Sequence, residues 1–209
     1  MKRTPYQPCG ASWHTVLSLS PEAGFLRPVV DAIDAAHGTT LAVVLPVRLA
    51  PELGLESYFD GRKPAILINT EASHAELSLL HEVGHAIDHL AFAKGSWATE
   101  ENEPLLREWR GAMLESRAVG ELLRQRQAAR GDELNLLRYY LQSKEIFARS
   151  YAQYVTKRSG SLVLLRQLRQ EQRGLYGDIF WRDNDFQPLR AAFDRLLERK
   201  KWLTTKKSK

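Results

Sequence analysis

The spacing of apolar residues predicts one helix and two strands in the first third of the chain. Residues 1–20 are rich in turn formers and predict irregular structure. Within residues 21–36, apolar side chains recur at helical spacing, and Ser20 is a suitable N-cap. Two strand-like runs follow: 40–49 is rich in Leu and Val, and 65–69 is a short apolar run entered through a turn-prone segment.

Helical spacing dominates from residue 73 onward. Ser73 and Glu76 form a capping-box pair, and apolar residues continue at helical spacing to about Phe92. Further helices are predicted over 103–130, over 133–158, where Ser143 could divide the helix in two, and over 161–173 and 187–200. The predicted fold class is α+β and predominantly helical, with a small sheet preceding the helix at 73–92.

Composition limits the class of protein. Hydrophobic residues make up 44% of the chain and charged residues 26%, and no apolar run approaches the roughly 18 residues of a membrane span. The first ten residues lack the continuous apolar segment of a signal peptide. Cys9 is the only cysteine, which excludes an intramolecular disulfide and a cysteine-rich zinc site. These features predict a single domain, 1–209, in a soluble, cytoplasmic protein with no membrane contact.

The net charge of +5 comes partly from lysines in the last ten residues. Charge runs of this kind are usually solvated chain ends, and we interpret this one as a basic tail. Nucleic acid is a possible partner that only this tail supports.

The central chemical feature is His81-Glu82-Val83-Gly84-His85. Residues four apart on a helix project in similar directions, so His81 and His85 can bind one metal ion. Glu82 can then act as general base towards a water on the metal. Zinc lowers the pKa of such a water to about 7 and polarises a carbonyl under attack. The motif therefore predicts metal-assisted hydrolysis.

A catalytic zinc ion also needs a third protein ligand. His89 lies about 12 Å along a straight helix from His81, too far for both to bind one ion, and is placed outside the ligand set. Asp88 lies on the motif's face and could accept a hydrogen bond from a ligand imidazole. Glu145 is a candidate ligand, although an isolated glutamate is by default a solvated surface residue.

Two segments, the one beginning at His81 and Glu145-Ile146-Phe147-Ala148-Arg149-Ser150-Tyr151-Ala152-Gln153-Tyr154, resemble the gluzincin branch of zinc metallopeptidases. The resemblance is greatest to the zincin domains of phages and mobile elements, and more distant to the catalytic domain of anthrax lethal factor. It implies a zincin-like fold, one Zn²⁺ per chain, His81, His85 and Glu145 as ligands, and Glu82 as catalytic base. It also implies a protein or peptide substrate, laid along the strand at 65–69 as the edge of the sheet.

The resemblance covers roughly residues 65–157, the expected catalytic core. Residues 1–64 then form an N-terminal region, 103–130 an inserted helix, and 158–209 a C-terminal helical region with the basic tail. Arg149 departs from thermolysin-like enzymes, which have an acidic residue four positions after the glutamate ligand. No oxyanion-stabilising residue is assigned among Tyr139, Tyr140, Tyr151 and Tyr154.

Two alternatives remain open from the sequence. The chain could be a catalytically silent zincin-fold protein that serves interaction or assembly in a phage or mobile element. An intact Glu82 favours the enzyme, since a degenerate zincin would be expected to lose the base or a ligand first. In addition, two histidines and a carboxylate also suit iron or manganese, although two histidines on one helix favour zinc.

Overall fold

A computed structural model describes residues 6–50, 57–71, 74–93, 95–101, 103–174 and 179–205. Ser73 and the three lysines after residue 205 lie outside these ranges, so the predicted capping box and most of the basic tail are not described. The predicted fold class, α+β and predominantly helical, is confirmed. None of the described helices combines the length and apolar character needed to cross a membrane.

A four-stranded mixed sheet lies on the N-terminal side of the motif. Its strands are β2 (Leu17–Leu19), β3 (Leu45–Leu49), β4 (Tyr58–Asp60) and β5 (Ala65–Ile68), after a short β1 (Tyr6–Pro8). The order is β2-β3-β5-β4, with β4 antiparallel and the other neighbours parallel. The prediction that the strand at 65–69 forms an edge was therefore wrong: β5 is internal, and the outer strands of the described sheet are β2 and β4.

The main helices follow with bounds that differ from those the sequence predicts. They are α1 (Arg27–Ala36), α2 (Ala75–Ala86), α3 (Arg107–Leu114), α4 (Arg117–Ala128), α5 (Gly131–Tyr140), α6 (Ser143–Ser159), α7 (Leu162–Glu171) and α8 (Asp183–Arg199). Residues Pro21–Leu26 form a 3₁₀ turn before α1, and Ile87–Phe92 continue α2 as a π-helix. A last strand, β6 (Leu203–Thr205), pairs with β1.

The predicted inserted helix at 103–130 is broken into a 3₁₀ turn, α3 and α4. Ser116 interrupts it, because its hydroxyl accepts from the backbone N–H of Val119 at the start of α4. Asp185 adds to this cap by accepting from the N–H groups of Arg117 and Ala118, at 2.8 and 2.9 Å. The residues at 183–186, predicted as loop, are the first turn of α8 and hold α4 in place.

The division of 133–158 that the sequence left open is present. Helix α5 ends at Tyr140, and α6 restarts at Ser143 with Gln142 in an extended conformation. Every residue from 145 to 156 is buried, so α6 runs through the centre of the molecule. The amide of Gln153 on this helix both donates to and accepts from the backbone of Trp181. Such a helix provides a rigid support for a site.

Candidate metal centre

The two motif histidines project from α2 towards the first turn of α6. His81 and His85 are one helical turn apart, and Glu145 is the third residue of α6. Helix α2 packs along α6 on one side and contacts β4 and β5 on the other. The restart of the chain at Ser143 therefore brings a carboxylate from a distant segment to face the two imidazoles.

A close approach of the two helices sets this arrangement. Gly84 lies between the histidines, and a Cβ atom added there would come within 2.8 Å of the Cα of Ala148. No real Cβ has room at that distance from backbone. The absence of a side chain at Gly84 is thus what allows α6 to lie close enough to α2 for Glu145 to reach His81 and His85.

We expect Gly84→Ala to destabilise the protein by about 1–3 kcal/mol, because overpacking against backbone outweighs the better helix propensity of alanine. It should also weaken metal binding, since the helices that carry the ligands must separate. Gly111→Ala is the matched control: Gly111 is an exposed glycine inside α3, with nothing near its Cβ position. That variant should be up to about 1 kcal/mol more stable. Urea unfolding measures both, and equal effects of the two substitutions would refute the packing argument.

The two imidazole nitrogens and the Glu145 carboxylate form a triangle, which we call the ligand triangle. Nε2 of His81 lies 3.1 Å from Nε2 of His85 and 3.2 Å from Oε2 of Glu145, and His85 Nε2 lies 3.4 Å from Oε1 of Glu145. Atoms bound at about 2.0–2.2 Å to a tetrahedral zinc ion lie roughly 3.3–3.5 Å from one another. The two imidazole nitrogens and the two carboxylate oxygens lie at similar separations, so one atom from each of the three residues could bind a single metal ion.

The charge states also fit metal binding. Burial lowers the pKa of His81 to about 4, so the imidazole is neutral at neutral pH. Burial alone would raise the pKa of Glu145, but its contacts with His81 and His85 outweigh this effect and hold the pKa well below its usual range. A neutral imidazole and an ionised carboxylate are the forms that coordinate a metal.

Glu82 lies beside the cluster and lines the same cavity. The cavity measures about 220 Å³, and His81, Glu82 and Glu145 all contribute to its wall. Glu82 is buried, with 4% of its surface exposed, and so is Glu145. A carboxylate placed beside the metal ligands, rather than among them, can exchange a proton with a water or substrate in the cavity.

The predicted contact between Asp88 and a ligand imidazole is not present among the described residues. Asp88 instead binds Thr99, accepting from its backbone N–H at 3.0 Å and from its hydroxyl at 2.7 Å. The Nδ1 atom of His85 is buried without a hydrogen-bond partner in the described part of the chain. Burial raises the pKa of Asp88 to about 6, although the hydrogen bonds from Thr99 oppose the shift. Asp88 therefore fixes the segment after the π-helix instead of orienting His85.

That segment places an aromatic side chain against the histidines. The Trp97 ring lies 5.5 Å from the ring of His85 and 5.0 Å from that of His89. His89 also packs against Phe59 and lies outside the metal-ligand cluster, as predicted. Sequence reasoning missed Trp97 and Thr99, because only the path of the chain after the π-helix brings them back to α2.

The break before α6 adds further side chains to the cavity. Tyr139 and Tyr140, at the end of α5, line it together with Arg149. Arg149 is one turn after Glu145 on α6, and its guanidinium donates to the backbone carbonyls of Tyr140 and Ile179. Burial lowers the pKa of Arg149 to about 10, against the opposing effect of Glu145, so the side chain stays charged at neutral pH.

Comparisons with models of protein families, with curated proteins and with solved structures found no match for this chain.

Proposed function

We propose that this protein is a zinc-dependent metallopeptidase of the gluzincin type, with a zincin-like fold, that hydrolyses a peptide bond. One observation carries the proposal: the side chains of His81, His85 and Glu145 converge at metal-ligand spacing next to Glu82. The sheet before α2 and the glutamate at the start of a later buried helix support the proposed fold.

The proposed site contains metal-binding residues and one general base. His81, His85 and Glu145 would hold the zinc ion, and a catalytic zinc site with three protein ligands can also bind a water. A bound zinc ion supplies a Lewis acid that lowers the pKa of a water to about 7 and polarises the substrate carbonyl. Glu82 would accept a proton from the attacking water and could return it to the leaving amine, since its carboxylate belongs to the cavity wall beside the proposed ligands.

The edge of the sheet offers a place for the substrate backbone. β4 pairs with β5 on one side only among the described strands. Ser57, the residue immediately before β4, lines the cavity. An extended peptide that adds to β4 would pair main chain to main chain and be led to Glu82. This proposal replaces the strand at 65–69 with its neighbour β4 as the substrate-binding edge.

The direct test combines metal analysis with an unbiased search for cleavage. The protein, purified without chelators, is expected to hold one zinc ion per chain by elemental analysis. It should cleave members of a diverse peptide mixture, as detected by mass spectrometry. Dialysis against a chelator should abolish cleavage, and added Zn²⁺ should restore it, because the Lewis acid is removed and replaced.

Each alternative has its own result in this experiment. Retained zinc without cleavage of any peptide would contradict the peptidase and favour a zincin-fold interaction protein. Iron or manganese in place of zinc would change the metal assignment only, since the same ligands suit them. A protein that binds no divalent metal at all would refute the proposed site.

A further inference from the structure

A buried arginine in the cavity wall has no role in the chemistry described so far. Arg149 is only 4% exposed, yet it lines the cavity that contains His81, Glu82 and Glu145. A buried guanidinium costs free energy unless it is paired and hydrogen-bonded, so its presence requires an explanation.

One part of that explanation is structural. The guanidinium donates to the backbone carbonyls of Tyr140 and Ile179, and thereby joins the end of α5 and the 179–182 segment to α6. Both acceptors are uncharged. Arginine has five N–H donors, so these two hydrogen bonds occupy only part of its capacity, and the guanidinium also lies 5.4 Å from the ring centre of Tyr140.

Arg149 would share its acidic neighbour with the metal. The carboxylate that acts on its charge is that of Glu145, which the proposed function assigns to the metal. Glu171, also in the cavity wall, lies 3.2 Å from His74. A substrate carboxylate would therefore give the guanidinium an anionic partner of its own.

We infer that Arg149 is a specificity-determining residue that binds a carboxylate of the substrate beside the cleaved bond. A planar guanidinium presents paired N–H donors that match a carboxylate, which makes arginine suited to this contact. The carboxylate comes either from an acidic side chain next to the cleaved bond or from the C-terminus of a short peptide. This inference rests on the proposed peptidase function and identifies its class of substrate.

The position of Arg149 agrees with such a subsite. It is four residues after Glu145 on α6, so both side chains lie on one face of the helix, about 6 Å apart along its axis. A substrate carbonyl directed at the metal would place a neighbouring residue, or the end of the chain, within reach of Arg149. The rings of Tyr139 and Tyr140 border the same space.

The test measures binding in place of turnover, so that it does not depend on catalysis. Zinc-loaded Glu82→Gln protein is mixed with matched sets of short N-acetylated peptides, and the bound peptides are quantified by mass spectrometry. In one pair of sets, the peptides carry either Glu or Gln at a fixed position and are otherwise identical. In the other pair, they end in either a carboxylate or an amide. We expect at least about tenfold enrichment of the carboxylate members of one pair, since a charged hydrogen-bonded contact is gained. The enriched pair identifies the source of the carboxylate.

Variants in the same background assign the preference to Arg149. Arg149→Met should abolish the enrichment while leaving the zinc content unchanged, and Arg149→Lys should retain part of it, because the charge remains without the paired donors. Arg138→Met, a change at an exposed arginine of α5, should have no effect. If Arg149→Met fails to fold, two results still test the role of Arg149. They are the carboxylate preference of the Glu82→Gln protein and the partial loss of that preference when Arg149→Lys is added.

Equal binding of carboxylate and amide peptides would overturn the inference, as would a preference that persists in folded Arg149→Met. These results are distinguishable from failure of the proposed function. Wild-type protein that cleaves peptides without any carboxylate preference would retain the peptidase and remove the subsite. Arg149-dependent carboxylate binding by a protein that cleaves no peptide would support the subsite and contradict the peptidase function.

Discussion

Replacing Glu82 with glutamine is expected to leave zinc bound and to reduce peptide hydrolysis by about 10²- to 10⁴-fold, the usual contribution of a positioned general base. Glutamine has nearly the size of glutamate and can keep polar contacts, but it cannot accept a proton at neutral pH. Because Glu82 lies in the cavity wall and outside the ligand triangle, the effect should fall on the rate and not on metal content. Elemental analysis and cleavage rates on one peptide measure both quantities.

The matched control for this substitution is Glu76→Gln. Glu76 is on the same helix and accepts a hydrogen bond from Gln167, so the variant makes the same chemical change away from the metal ligands. Its cleavage rate should stay close to that of the wild type. A Glu82→Gln protein as active as the Glu76→Gln protein would show that another group acts as the base.

The second large effect is expected at Glu145. Glu145→Ala removes one vertex of the ligand triangle and should lower zinc affinity by more than the roughly 10- to 100-fold that loss of an outer-shell partner costs. The two histidines that remain cannot supply the three protein ligands of a catalytic zinc site. The variant should therefore lose zinc during purification and, with it, activity.

Competition with a chromophoric chelator measures this affinity directly. Glu133→Ala, at an exposed glutamate of α5, controls for the loss of an acidic side chain. It should bind zinc as the wild type does. Full zinc occupancy in folded Glu145→Ala would mean that the third ligand is a different residue.

Local sequence identified the part of the site that lies within one helical turn. The spacing of His81 and His85 needs only a helix, and the structure provides it. Glu145 lies 64 positions after His81 in the sequence, and no periodicity links the two residues. Glu145 was predicted as a ligand only because its surrounding segment resembles that of gluzincins. The physical reason why the segments meet is the space left at Gly84, which the sequence shows only as a glycine inside a helix.

The residues that surround the proposed ligands come from distant segments of the chain. Which segments fold back onto α2 and α6 could not be predicted from the sequence. Asp88 was expected to orient a histidine because it lies on the correct face of a regular helix, but it lies within the π-helix, and a later turn supplies Thr99 as its partner. The edge strand β4 is only three residues long, too short for its alternation to be recognised. Tyr140 and Arg149 meet only because the chain breaks between α5 and α6.

The ligand triangle consists of side chains from two helices that are in van der Waals contact through their own packing. The polypeptide can therefore reach its final shape first and acquire its metal afterwards, unlike small zinc modules in which the ion itself organises the chain. His81, the ligand with the largest exposed fraction, faces the cavity and gives the metal a way in. For the proposed hydrolase, such an order would separate the time of synthesis from the time of activation and leave control to the local supply of zinc.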